Sequence, residues 1–284
     1  MLKYKIMKKW YVSLLILLMA FTTYAEANWL TSLEDAQKIA LSSNKLILVD
    51  FWATWCGPCK RMDSESWSKE DVQVLMKNYV PVKIDIDRNR GIAQKYGVQG
   101  IPYIFILDGN GKVLYQQMSY KSKRELIDLL KKYALDTNFL SSDLINYFKK
   151  ANFTTAFRLG IKYQDYSLFM GDSIKNDVLN VAEKYFDDAR DFLKSSDLKN
   201  KKLFEQKLDL FEIQEYLIVN KPEKVLKKLE RMNAKDIHKG NTGFYNFLRY
   251  VSYLQLEDET NILKLQSEMS EAHKKKAKLF IKPI

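Results

Sequence analysis

The sequence predicts an α/β unit built on a mixed sheet, followed by an all-α region. Two features of the 284-residue chain carry that reading. Over residues 28–136, helical and strand-like hydrophobic patterns alternate. Beyond about residue 136, glycine and proline thin out, helical periodicity takes over, and all five tryptophans lie at or before Trp67. With 46% apolar and 29% charged residues, the chain holds material for sizeable cores, and its length suits one or two domains.

In the first unit, residues 32–43 place Leu33, Ala36, Ile39 and Ala40 at helical spacing. Residues 45–52 contain Leu-Ile-Leu-Val-Asp-Phe, a continuous apolar run of the kind found in a strand buried on both faces. A helix is expected to begin at Cys56, with Pro58 tolerated in its first turn. Residues 80–87 read as a second strand and residues 103–107 as a third. Asp108-Gly-Asn-Gly111 supplies a turn into residues 112–117, making a hairpin, and residues 122–133 close the unit as an amphipathic helix. Strand, helix and strand followed by a hairpin and a helix imply a mixed sheet covered on both faces.

In the second region, Ile174, Val178, Val181, Ala182, Tyr185, Ala189 and Phe192 fall on one helical face. Pro222 sits where a helix would start, ahead of Val225, Leu226 and Leu229. Five to seven helices are expected by about residue 280, stacked as antiparallel pairs, and no 34-residue repeat signature is visible. His238 and His273 read as ordinary surface positions among lysines. Phe244, Tyr245, Phe247, Tyr250 and Tyr253 read as helix packing.

Residues 1–27 read as a secretory signal: four lysines, an apolar run over residues 10–21, then small residues that allow cleavage after Ala25 or Ala27. The run would span roughly 18 Å as a helix, short of a hydrocarbon core of about 30 Å. An uncleaved amphipathic anchor is the competing reading. Export to the periplasm or the extracellular space is therefore expected, with no stable membrane span in the mature chain. Loss of Lys3, Lys5, Lys8 and Lys9 lowers the net charge from +11 to +7. The remaining excess is dispersed, which reads as a solvated surface, and no nucleic-acid motif accompanies it.

Cys56 and Cys59 are the only cysteines, so no third thiol can mispair with them. Placed at the start of a helix after a buried strand, Cys56 would face backbone N–H groups without helical partners. Those donors and the positive end of the helix dipole stabilise a thiolate. Cys56 is thus expected to be the nucleophile. Cys59, one turn on and on the same face, can attack the resulting mixed disulfide. Gly57 and Pro58 keep the turn tight and leave the approach path open. A structural disulfide and half of a zinc site are the alternative readings of such a pair. Zinc would need about four ligands, and the two histidines are far away in the chain, so no metal is expected.

These residues lie in a longer pattern: Val49-Asp-Phe-Trp-Ala-Thr-Trp-Cys-Gly-Pro-Cys-Lys60, Lys83-Ile-Asp-Ile-Asp87 and Tyr96-Gly-Val-Gln-Gly-Ile-Pro102. With its three blocks in order, the segment of residues 28–136 resembles the thioredoxin family. The resemblance implies an α/β thioredoxin-like fold, a mixed sheet with flanking helices, followed here by an all-α domain over residues 137–284. It assigns Pro102 as a cis-proline facing the redox pair and Ile101 as the backbone that pairs with an extended substrate segment. It makes Asp50 a buried carboxylate serving Cys59 and Lys83 its companion, with Trp55 flanking the site and Trp52 mostly in the core. One departure stands out. Arg61-Met-Asp-Ser-Glu-Ser-Trp67 lacks the proline that kinks the helix in classical thioredoxins, and residues 68–72 look like a new helix start, a layout similar to exported thioredoxin-like domains.

The expected activity is reduction of disulfides in exported proteins, with an unidentified upstream thiol reductant and no cofactor beyond the dithiol itself. A disulfide oxidase or isomerase is one alternative. A binding or chaperone-like module, with the helical domain gripping a partner, is another. In a combined form the helical domain selects substrates, and cutting the chain after about Asp136 would spare reduction of small disulfides.

Overall fold

The structure is a computed structural model that describes residues 28–281. The leader reading of residues 1–27 lies outside the described residues. Helix α1 (Leu33–Ser43) is capped by Ser32, whose hydroxyl accepts the Asp35 N–H at 3.2 Å. It is followed by β1 (Leu46–Trp52), α2 (Gly57–Met62), a π-helical turn (Asp63–Trp67) and α3 (Glu70–Met76). Then come β2 (Tyr79–Asp85), α4 (Arg90–Lys95), β3 (Tyr103–Leu107), β4 (Val113–Met118) and α5 (Lys123–Lys132). The strands order as β2-β1-β3-β4, with β1 parallel to β2 and antiparallel to β3, and β3 antiparallel to β4. Helix α4 was not anticipated. It has six residues and only Ala93 is buried, too little to print a helical period.

Alternation along the strands sorts the sheet into two faces. Ile47, Val49 and Phe51 of β1 join Phe105 and Leu107 of β3 against α1 and Ala93 of α4. Leu46, Leu48, Ile104 and Ile106 join Met62, Trp67, Val72, Met76 and the α5 residues Leu126 and Leu130 on the other side.

A 3-10 turn (Asn138–Leu140) opens the helical region. It continues as α6 (Ser141–Lys149), α7 (Phe153–Ser167), α8 (Asp172–Ser195), α9 (Lys201–Ile218) and α10 (Pro222–Arg231). Three more helices follow: α11 (Thr242–Gln255), α12 (Glu259–Gln266) and α13 (Glu271–Ala277). Eight helices exceed the expected five to seven because some breaks are very short. Between α6 and α7 only residues 150–152 intervene, and an Asn152–Thr155 capping box restarts the helix. The α8 face is buried as read, except that Phe192 is only half-buried. Helices α7 and α8 approach closely at Gly160, where a Cβ would meet the Phe186 ring at 2.5 Å.

The two regions share a core. One hydrophobic cluster runs without a break from Ile106 and Leu114 of the sheet, through Leu126, Leu130 and Tyr133, to Leu140, Leu144, Tyr163, Val178 and Tyr185. A second cluster lies wholly among the later helices, around Leu210, Leu217, Leu229, Phe247 and Leu248. The hairpin turn is also tied into the helices: Asn110 Nδ2 donates to the Leu144 carbonyl at 3.2 Å and Lys184 Nζ to the Val113 carbonyl at 2.7 Å. A cut near Asp136 would strip the cover from Ile106, Leu114 and Tyr133. The pairing of Phe51 with Tyr103 and of Ile47 with Leu107 places this contact at the end of the sheet remote from Cys56.

Candidate active site

The chain leaves β1 at Trp52 and reaches Cys56, which caps α2 in an extended conformation (φ −77°, ψ 99°). Its Sγ accepts the Cys59 N–H at 3.1 Å, so a sulfur occupies the position where a side-chain oxygen usually satisfies an orphan donor. Pro58 stands in the first turn, where its missing N–H costs nothing. Cys56 and Cys59 are joined as a disulfide, the oxidised form of the pair. Cys56 is 3% exposed and Cys59 1%, and with Ala53 they pack against Trp52, Ile86 and Ile101. Gly57, Pro58 and Trp55 form an exposed rim around them.

The Ile101–Pro102 peptide bond is cis. Pro102 is buried and Ile101 half-buried beside the sulfurs, and the Pro102 carbonyl accepts the Ser119 N–H at 3.0 Å. Trp55 is 65% exposed yet held, since its Nε1 donates to Asp87 Oδ2 at 2.8 Å. Trp52 is half-buried rather than mostly core. Its position at the end of β1 leaves one side of the ring against the sulfurs and Lys83.

Asp50 lies on the β1 face that carries Leu48 and receives α2 and Trp67, and it is 1% exposed. Burial is the largest influence on its carboxyl and pushes it up to about 7, with Lys83 opposing the rise and the Asp63 charge adding to it. Lys83 Nζ is 3.6 Å from Asp50 Oδ2 and makes a hydrogen bond to Asp63 Oδ1. The rings of Trp29 and Trp52 each stand 5.3 Å from that ammonium.

The structure thus brings Cys56, Cys59, Ile101, Pro102 and the rim residues together at the carboxyl end of β1. Asp50 and Lys83 lie on the sheet below α2. Three neighbours escaped the sequence reading. Asp63 and Trp67 reach Lys83 and Asp50 through the π-helical turn, whose sequence signal was the missing proline. Met118, 52% exposed at the end of β4, lies against Gly100, where a Cβ would meet its sulfur at 2.6 Å. Its contact spans a non-local pairing and leaves no local trace. Among the described residues, no three His, Cys, Asp or Glu side chains converge as a metal-ligand set, and no helix is long and apolar enough to cross a membrane.

The sequence matches the family model for thioredoxin over residues 27–132. Thioredoxin from Bacillus subtilis is 38% identical over 99 residues, covering 35% of this chain and 92% of that protein. The chain belongs to the thioredoxin family. Thioredoxin from Buchnera aphidicola is 36% identical over 110 residues, covering 37% of this chain and 96% of that protein. The oxidised C-terminal domain of DsbD from Neisseria meningitidis is 21% identical, with 37% of this chain and 99% of that chain covered at a TM-score of 0.34. In this thioredoxin-family oxidoreductase the matched segment is the unit that carries Cys56 and Cys59, with the helical region added after it.

Proposed function

We propose that this thioredoxin-family protein reduces disulfides of exported proteins, with Cys56 as nucleophile and Cys59 as resolving thiol. The observation that supports this best is the cap: the Cys56 sulfur accepts a helix N-terminal N–H, which favours a thiolate once the disulfide is reduced. The Cys56 thiolate attacks one sulfur of a substrate disulfide and forms a mixed disulfide, and the first substrate thiolate leaves. Cys59 then attacks Cys56, the Cys56–Cys59 disulfide forms, and the second substrate thiolate leaves. The substrate gains two electrons and two protons, and an upstream thiol reductant restores the dithiol.

In this reading Asp50 takes the Cys59 proton, with Lys83 as its companion. Trp55, Gly57, Pro58, Ile101 and Pro102 form the groove, where the Ile101 backbone pairs with an extended substrate segment. The helical region selects the substrates that reach the redox pair. Cys-Gly-Pro-Cys with no histidine between the cysteines favours the reducing direction.

Trapping with Cys59→Ala tests the scheme. Partners should remain disulfide-linked to Cys56 and be identifiable by mass spectrometry, and recovery of no linked protein from an exported fraction would overturn it. A redox titration of the Cys56–Cys59 pair fixes the direction: a potential well above that of the glutathione pool would make the protein an oxidase or isomerase.

A further inference from the structure

Lys83 offers one ammonium to two carboxylates and does not share it evenly. It makes a hydrogen bond to Asp63 Oδ1 and stands 3.6 Å from Asp50 Oδ2, beyond the roughly 2.7–2.9 Å of a charge-assisted hydrogen bond. Both Asp50 oxygens are buried without a hydrogen-bond partner. The side chain of Asp63 is 37% exposed against 1% for Asp50, so ionising Asp63 costs far less solvation. The more exposed carboxylate therefore keeps the lysine.

The π-helical turn is what puts Asp63 there. The Ser68 N–H reaches back five residues to the Asp63 carbonyl at 3.0 Å, so the turn widens where a proline would have kinked it. Trp67, from the same turn, is fully buried beside Asp50, and Trp29 and Trp52 wall in the Lys83 ammonium. The charged groups facing Asp50 are thus Lys83 from β2 and Asp63 from the turn, with the Trp67 indole as the neutral polar neighbour.

We propose that Asp63 is a positioning residue: by holding the Lys83 ammonium, it leaves Asp50 able to accept the proton of Cys59 and give it back. This rests on the reading of Asp50 as the proton partner of Cys59. In the release step Cys59 passes its proton to Asp50 and its sulfur bonds to Cys56. The bond between Cys56 and the substrate sulfur breaks, the substrate thiolate leaves with the electron pair, and Asp50 returns the proton to it. Were Lys83 bound to Asp50, the carboxylate would be a weaker base and would hold the Cys59 proton poorly.

The test uses the full chain with Asp63→Asn, Asp63→Glu and Asp50→Asn. Two readouts are the Asp50 titration by carbon NMR and the pH profile of glutathione release from a Cys56–glutathione mixed disulfide. Asp63→Asn should free Lys83 to pair with Asp50, lowering the Asp50 midpoint by about one unit or more and moving the release profile with it, while Asp63→Glu should restore both. An Asp50 midpoint unmoved in Asp63→Asn would overturn the role of Asp63 and leave that of Asp50 standing. A release profile unchanged in Asp50→Asn would overturn both.

Discussion

The Tyr185 hydroxyl, midway along α8, donates a 2.5 Å hydrogen bond to Asp108 in the β3–β4 turn, 77 residues away in the chain. Tyr163 of α7 donates to the same oxygen at 2.9 Å, and the other oxygen accepts the Asn110 and Lys112 N–H groups, both at 2.9 Å. Burial pushes the Asp108 carboxyl up, and these four donors hold it down. Tyr185→Phe keeps the ring and removes one donor, so it should cost about 1–3 kcal/mol in urea denaturation. A change within about 0.5 kcal/mol of wild type would mean that the bond joins the regions without stabilising them.

Truncation after residue 136 follows from the same interface. It removes Leu140, Leu144, Tyr163, Val178 and Tyr185 from a core that also holds Ile106, Leu114 and Tyr133. The truncated chain should lack a cooperative unfolding transition and bind a hydrophobic dye, whereas the full chain should unfold cooperatively and bind none. A truncated chain with native near-ultraviolet dichroism would show that the thioredoxin-like unit is self-sufficient.

Asp50 should make stability depend on pH in a definite direction. Its folded carboxyl lies near 7, above its ordinary value of 3.8. From about pH 4 to about pH 7 the folded protein keeps a proton that the unfolded chain has released, so rising pH lowers stability through that window and the loss is complete above it. Asp50→Asn removes this penalty. In the oxidised protein it should match wild type near the acid end and gain on the order of 3–4 kcal/mol above neutrality, as an upper figure. Denaturation midpoints at an acidic and an alkaline pH would check it, and equal shifts at both would refute it.

Trp55 should depend on Asp87. Their 2.8 Å hydrogen bond fixes an indole that is otherwise 65% exposed. Asp87→Ala should let the ring rotate away from the rim and lower kcat/KM for a protein disulfide about 3- to 10-fold, the scale of one lost hydrogen bond. Reduction of a small aromatic disulfide should change less. Equal losses on both substrates would point to the sulfurs rather than the rim.

Much of the first unit was legible because its signals are local. The apolar run through Val49 and Phe51 reads as a buried strand, the Asp108-Gly-Asn-Gly111 turn reads as a hairpin, and Cys-Gly-Pro-Cys at a helix start carries its own electrostatics. Residues 90–95 were illegible as a helix because six residues with one buried side chain show no period. Asp63 looked like one more polar residue in a stretch without proline. Its meaning depends on Lys83, which arrives from β2.

The sequence alone determined the sheet-forming segments, the Cys56–Cys59 chemistry and the helical character of the later region, since each depends on neighbours within a few turns of chain. Only the tertiary structure decided which carboxylate holds Lys83, that Trp55 is anchored by Asp87, and that Asp108 fastens the two regions together. The reason is distance along the chain. Those bonds join residues 20 to 77 positions apart, and no local pattern records which partner a buried charge will meet.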